Sequence, residues 1–233
     1  MSVSFDFEGQ VALVTGACGA LGSAVCKAFS EAGATVHATD VVDVESDDSL
    51  LDSDLVTFHR GDFTDEDDVE RVIETVVDAA GGLDYLANVA GTWKGGQPID
   101  ETSVEEFQTL FDINLTTAFL ASKHALSHLR ETEGAIVSVS ARSSLSGGEG
   151  DGPYRMSKAG IRLLTETLAE ENTGTVRANC VMPSVIDTPM NREMMDYSEE
   201  WVAPADIAEV FLVLCSDATS PTSGAAIPVY GEA

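Results

Sequence analysis

The sequence predicts a single α/β domain: a doubly wound, mostly parallel sheet between two helical layers. Three observations carry this. Strand-like and helix-like segments alternate from end to end of the chain, which implies right-handed βαβ crossovers and helices on both faces of one sheet. The first strand-like run, residues 11–15, is apolar along nearly its whole length, as a strand buried on both faces must be. A glycine-rich turn then leads straight from that run into a helical pattern. A length of 233 residues suits one domain over 1–233, because such domains reach about 250 residues without splitting.

The elements follow in order. Strand 11–15 is succeeded by a helix over 20–32, which Gly33 closes, and by a second strand at 35–40. A third strand at 56–60 precedes a helix over 66–80 that Gly81 and Gly82 end. The fourth strand is 84–88, and long helices fit 104–112 and 115–132. Strand 135–140, helix 154–171 and strand 176–181 come next. A helix over 204–216 leads to a short last strand at 226–229. In such sheets ligands bind at the carboxyl ends of the strands, and every motif taken up below lies at such an end.

Composition excludes several classes. Hydrophobic residues make up 44% of the chain, enough for a sizeable core. No apolar run approaches the roughly 20 residues of a membrane span. The opening segment carries Asp6 and Glu8 and lacks a basic stretch followed by an apolar one, so a cytoplasmic protein is expected. Cys18, Cys26, Cys180 and Cys215 form no CxxC pair and no metal-spaced cluster, and His37, His59, His124 and His128 show no ligand spacing; no metal is expected. Acidic residues number 40 against 12 basic ones, a net charge of −28. Such a polyanion repels nucleic acid and anionic membranes. Its acids crowd stretches such as 45–54, 62–68 and 166–171, which predicts a halophilic surface whose self-repulsion salt screens.

The turn after the first strand reads Thr15-Gly16-Ala17-Cys18-Gly19-Ala20-Leu21-Gly22. Glycine lets the chain turn sharply and lets backbone amides approach a pyrophosphate, while the following helix offers unpaired N–H groups and a positive dipole end. This makes the fold Rossmann-type and predicts a dinucleotide. Asp40 closes the second strand, where a carboxylate accepts from ribose hydroxyls and repels a 2′-phosphate. No Arg or Lys neighbours it in sequence, so NAD is favoured over NADP.

Tyr154 and Lys158 stand four apart at the start of a helix, on one face. A phenol at its usual pKa is a poor acid–base; an ammonium one turn away favours the phenolate, so the pair can pass a proton while hydride moves on carbon.

Taken together these segments resemble the short-chain dehydrogenase/reductase family over essentially the whole chain. The matching pieces are the TGACGALG turn, Asp40, Gly61-Asp62, Asn88-Val89-Ala90-Gly91, Asn114, the serine-rich end of the fifth strand, Tyr154 with Lys158, and the segment Pro183-Ser184-Val185-Ile186-Asp187-Thr188. The resemblance implies that Asp62 and Phe63 contact adenine, and that Asn88, Ala90 and Gly91 flank the cofactor and brace the sheet. It implies that Asn114 perturbs its helix and holds a water linked to Lys158, and that Lys158 also binds the nicotinamide ribose. Pro183, Ile186 and Thr188 would position the nicotinamide. The activity implied is hydride transfer between NAD(H) and a small alcohol or carbonyl compound, by a homo-oligomer, either dimer or tetramer.

The chain departs from the family pattern at three places. Ala20 stands where the turn usually has glycine, and Ser184 follows Pro183 where glycine is usual. The family's catalytic serine lies thirteen residues before the tyrosine, and that position here is Ala141. Ser140 is the first choice for the missing hydroxyl, with a one-residue shift of register to bring it round. No serine at all is the second choice, and Ser143 or Ser144 the third. The segment Ala141-Arg142-Ser143-Ser144-Leu145 also resembles dihydropteridine reductases, which work without the serine.

Other residues are open. Trp93 is either a wall of the substrate pocket or packing. Met190, Met194, Met195, Tyr197 and Trp201 fall in the segment that lids the substrate in this family. Arg142 and Glu149 touch substrate or form a solvated pair. Two rival readings stand beside the dehydrogenase: a dihydropteridine-reductase-like enzyme, and a non-catalytic NAD-binding sensor, against which the intact Tyr154 and Lys158 argue.

Overall fold

The fold is taken from a computed structural model, which describes residues 4–231. Seven strands form one sheet: β1 (Val11–Thr15), β2 (Thr35–Asp40), β3 (Thr57–Arg60), β4 (Tyr85–Asn88), β5 (Ala135–Val139), β6 (Arg177–Pro183) and β7 (Ala226–Val229). Their order is β3-β2-β1-β4-β5-β6-β7, and every neighbouring pair is parallel. The chain runs outward from β1 to β3, returns to the centre, and runs outward again from β4. The strand order therefore reverses between β1 and β4, and a crevice opens above their carboxyl ends.

Side chains alternate across the strands, so each strand feeds two cores. Ala12 and Val14 of β1 pack with Leu21, Val25 and Phe29 of α1 (Ala20–Glu31) and with Ile207 and Phe211 of α7 (Pro204–Cys215). Val11 and Leu13 face the other way, against Val69, Val72 and Ile73 of α2 (Glu66–Ala80), Leu120 and Leu129 of α4 (Thr117–Thr132), and Leu168 of α5 (Gly152–Glu171). The three predicted layers are present.

Most element boundaries agree with expectation to within two residues, and the differences fall near the cleft. Residues 104–132 form α3 (Val104–Phe111) and α4 joined by a π turn over Asp112–Thr116, with no break between them. Strand β5 ends at Val139; the chain then folds into one 3₁₀ turn, Arg142–Leu145, beyond Ala141. Strand β6 extends to Pro183, because β7 pairs with it as far as Val229. A short helix not foreseen, α6 (Pro189–Met194), is capped by Thr188, whose hydroxyl accepts from Asn191 N at 3.1 Å.

Candidate active site

One cleft of about 1720 Å³ runs along the carboxyl edge of the sheet from β2 to the segment after β6. This exceeds the ~300–1,000 Å³ of a single small-ligand pocket and leaves room for a dinucleotide and a second molecule.

Sterics shape its floor. Gly16 sits at φ +64°, and a Cβ there would lie 2.7 Å from the Ala90 Cα; only glycine lets the β1 turn pass so close to the end of β4. Gly22 lies under the same turn, where a Cβ would meet the Gly16 carbonyl oxygen at 2.1 Å. The Thr15 hydroxyl ties the two strand ends by accepting from Val89 N at 3.0 Å and Ala90 N at 3.1 Å. Helix α1 begins at Gly19 with no side chain capping it, so its first amides are open to an anion. Gly16, Cys18, Gly19, Ala20, Leu21 and Gly22 all line the cleft, and alanine at 20 is accommodated as the first residue of α1.

At the far end of this half, the Asp40 carboxylate accepts from Cys18 N at 2.9 Å and Val42 N at 3.0 Å. It braces the glycine turn while still lining the cleft. One basic residue comes near it that the sequence distance hides. Arg60 lies opposite Asp40 in strand register and meets Asp43 at 4.0 Å, but it does not line the cleft. Asp62 and Phe63 also reach the cleft; Asp62 Oδ1 accepts from Thr64 N at 2.9 Å, and Phe63 is mostly sunk in the core. Pro183, Ile186 and Thr188 line the opposite wall, as do Ala90 and Gly91.

Asn88 lies beside the cleft and does not line it. It is buried in the sheet, where its amide donates to Ser122 Oγ at 3.1 Å and Ser138 Oγ at 3.3 Å, so it braces β4 against α4 and β5.

The catalytic segment is held by packing around Gly91. A Cβ on Gly91 would fall 2.9 Å from both Asn114 Oδ1 and Lys158 Nζ, so these two groups converge there. Asn114 sits in the π turn, accepts from Thr92 N at 2.9 Å and donates to Ser157 Oγ at 3.2 Å. Ser157 in turn donates to the Tyr154 carbonyl at 2.8 Å. Asn114 is therefore a positioning residue that locks the first turn of α5 from below. Lys158 is buried and donates to the Val139 carbonyl at 3.0 Å. Burial pulls its ammonium down to about 8. Burial also pushes the Tyr154 phenol up to about 12, with the Asp151 carboxylate adding to the effect and the Arg155 guanidinium opposing it. The expected lowering of the phenol by Lys158 is thus absent in this state. The ammonium is occupied by a backbone carbonyl, and desolvation governs both groups.

The serines at the end of β5 differ in their partners. The Ser140 hydroxyl donates to the Lys158 carbonyl at 2.8 Å. Ser144 lies 3.2 Å from Ser140 Oγ and 3.9 Å from Met182 Sδ. Through this bond Ser140 staples β5 to α5, and like Ala141 it lines the cleft. Ala141 lines the cleft with a methyl group.

The substrate end is bounded by Trp93, Arg142, Ser143, Met190, Met194 and Trp201. The lid is self-bracing. Arg192 clasps Asp187 at 2.5 and 2.7 Å and lies 4.7 Å over the Tyr197 ring, which packs edge-on to Trp201 at 5.6 Å. Arg142 stands 4.6 Å over the Tyr230 ring, while Glu149 is outside the cleft. Trp93 is a pocket wall and 44% exposed.

Sequence reasoning did not single out Thr15 as the clasp between β1 and β4, nor the hydroxyls of Thr39 and Ser184. Among the described residues, the buried polar atoms without a partner include Thr39 Oγ1, Ser143 Oγ and Ser184 Oγ, and all three residues line the cleft. An orphaned buried hydroxyl costs about 1–3 kcal/mol. Thr39 lies beside Asp40, and Ser184 between Pro183 and Ile186. With the glycine cradle and the uncapped α1, these atoms fit a bound dinucleotide.

The sequence profile of the short chain dehydrogenase family matches residues 10–198. The mitochondrial borneol dehydrogenase of Lavandula x intermedia is 33% identical, covering 96% of this chain and 90% of its own. The meso-2,3-butanediol dehydrogenase of Serratia marcescens is 32% identical, covering 97% and 95%. The ligand-free aldohexose dehydrogenase of Thermoplasma acidophilum superposes with a TM-score of 0.87 at 24% identity, covering 97% and 94%, a likeness of fold. With the dinucleotide turn, Tyr154 and Lys158 on one cleft and this match along most of its length, the chain belongs to the short-chain dehydrogenases, nicotinamide-dependent oxidoreductases of alcohols and ketones.

Proposed function

We propose that the protein transfers a hydride between NAD(H) and a small alcohol or ketone. The observation that carries this is the presence of Tyr154 and Lys158, one helical turn apart, on the wall of the cleft that the Gly16–Gly22 turn floors. The nicotinamide, when bound, takes up or gives up the hydride. This chain's residues manage the proton. A phenol pushed up to about 12 keeps its proton at neutral pH, so Tyr154 is set to donate it to a carbonyl oxygen as the carbon is reduced. In the reverse direction the phenolate form of Tyr154 accepts the alcohol's proton, and the Lys158 ammonium, freed from the Val139 carbonyl, favours that phenolate by offsetting its charge. Asn114 keeps both side chains in place through Thr92 and Ser157. The Asp40 carboxylate favours NAD, since a 2′-phosphate would meet a like charge. Alcohol dehydrogenases among the relatives support this substrate class.

A second reading, a dihydropteridine-reductase-like activity, is favoured by one observation: the methyl group of Ala141 at the position of the family's serine. One assay separates the two. A panel of alcohols, ketones and a quinonoid dihydropterin is followed at the nicotinamide absorbance with NAD(H) and NADP(H), in molar KCl to screen the charge of −28. Turnover of alcohols or ketones with NAD(H) is expected. Turnover of the dihydropterin alone supports the second reading, and preference for NADP(H) refutes the role of Asp40.

A further inference from the structure

We infer that Ser143 is the residue that holds the substrate oxygen, in place of the serine this chain lacks at position 141. The inference rests on the alcohol or ketone reading above. A reacting oxygen that takes or gives a proton at Tyr154 carries developing negative charge, and a second donor aimed at it lowers the barrier. Three serines and one alanine near the end of β5 compete for that place, and the structure separates them by what their hydroxyls already do. Ala141 has none. Ser140 spends its proton on the Lys158 carbonyl at 2.8 Å. Ser144 is engaged with Ser140 at 3.2 Å and Met182 at 3.9 Å. Ser143 alone of the three has a buried hydroxyl with no partner, and it lines the cleft that Tyr154 lines.

Its position is fixed by the residue next to the acid–base. The Arg155 guanidinium donates to the Ser143 carbonyl at 3.3 Å and to the Ser146 carbonyl at 3.2 Å, and it is anchored by Asp151 at 2.5 Å. The 3₁₀ turn bearing Ser143 is thereby tied to the first turn of α5, which bears Tyr154. This registers a hydroxyl two positions further along than the family's serine. A turn of 3₁₀ helix advances only about 2 Å per residue, so such a displacement stays within reach of the same cleft. A buried hydroxyl left unpaired costs stability, and a ligand oxygen that accepts its proton removes that cost. In the reaction Ser143 gives up no proton. It donates one hydrogen bond to the oxygen, while the proton itself passes between that oxygen and Tyr154.

The test compares Ser143→Ala, Ser140→Ala and Tyr154→Phe with the wild type, using the alcohol the wild type oxidises fastest in the panel and NAD in molar KCl. Ser143→Ala should lose about 10²-fold in kcat, in the range seen on removing one oxyanion donor. Its NADH affinity, read by fluorescence, should be unchanged, and its Tm equal to or above that of the wild type, because no protein contact is lost. In the Ser143→Ala background, Ala141→Ser should restore part of the turnover. Ser143→Ala with kcat within threefold of the wild type, or with a collapsed Tm, overturns the proposal. If Ser140→Ala lowers kcat and Ser143→Ala does not, Ser140 holds the oxygen and the proposal fails. Normal kcat in Ser143→Ala beside an inactive Tyr154→Phe removes Ser143 alone; a fully active Tyr154→Phe, or no turnover by the wild type, removes the underlying reading and Ser143 with it.

Discussion

The two halves of the cleft are built by different means. The half above β1 and β2 is made of backbone: Gly16 and Gly22 let one turn lie against another, and its recognition groups are amides at the start of α1 and a carboxylate already braced by two amides. The half beyond β5 is made of side chains: hydroxyls sorted by the partners they find, a guanidinium holding a loop, and methionines of the lid exposed at 57% (Met190) and 46% (Met194). The first half tolerates almost no change of shape. The second tolerates change of shape but not of orientation, and within a family of one fold this is where substrates diverge.

The largest effect expected is in the second half. Tyr154→Phe keeps the ring and removes the group proposed to move the proton, so kcat should fall by at least about 10²–10⁴-fold, the range for general acid–base groups. Affinity for NADH should hardly move, since the glycine turn is untouched. A variant with near-normal turnover breaks the division of labour between the halves.

Next comes a paired test of shape. Gly22→Ala puts a methyl group 2.1 Å from the Gly16 carbonyl oxygen and 2.7 Å from the Ala17 Cα, both backbone atoms. Overpacking of this kind costs about 1–3 kcal/mol, and at about 2–4 °C per kcal/mol for a chain of this size the Tm should drop measurably, with loss of NADH binding. Gly147→Ala, in the loop of the substrate half, meets nothing within 4 Å and should change stability by less than about 0.5 kcal/mol. Equal melting shifts for the two variants would erase the contrast.

A smaller effect sharpens the recognition of the cofactor. Asp40→Asn removes the charge but keeps an acceptor for Cys18 N or Val42 N, so it tests electrostatics with little loss of bracing. The ratio of NADP to NAD in kcat/KM should rise about tenfold, equivalent to 1.4 kcal/mol. An unchanged ratio means that the carboxylate serves only the turn.

This contrast also explains what the sequence made legible. The glycine turn could be read because a close approach of backbones permits one residue type and leaves a mark in the sequence. Tyr154 and Lys158 could be read because their spacing on a helix is itself the geometry. The partner of the Ser140 hydroxyl could not be read. Strand parity says which face a residue takes, but not that the Lys158 carbonyl would sit 2.8 Å away to claim its proton. The partners of Asn88 were hidden for a similar reason: its motif lies beside the cleft, while its amide finds Ser122 and Ser138 inside the protein. Ser184 and Thr39 carry no sequence signal at all, since an orphaned hydroxyl is defined by neighbours that come from distant segments.

The last prediction concerns what the reactive half costs the fold. Lys158 is buried, and its ammonium is held down at about 8 against an ordinary 10.5. At pH 7 the folded and unfolded chains both carry that proton, so the folded state bears the full desolvation cost. Between about pH 8 and 10 the folded lysine has lost its proton while the unfolded one keeps it. Unfolding then takes up a proton at this site, so the lysine's own contribution to stability rises with pH. The Cys26, Cys180 and Cys215 thiols, pushed up by burial to about 12, 11 and 12 from an ordinary 9.0, and the Tyr154 phenol, pushed up to about 12, act the other way, because the unfolded groups give up protons that the folded ones keep; these contributions are common to the variant and the wild type. Lys158→Met fills the same space without the charge. It should abolish turnover yet melt a few degrees above the wild type at pH 7, at about 2–4 °C per kcal/mol. Its advantage should shrink between pH 8 and 10, as the wild-type lysine neutralises. The measurement is Tm against pH for both proteins at constant molar KCl, so that the net charge of −28 is screened equally in each. A variant that melts below the wild type at pH 7 would mean that the hydrogen bond from Lys158 to the Val139 carbonyl outweighs the desolvation of its charge, and that the catalytic lysine stabilises the fold it serves.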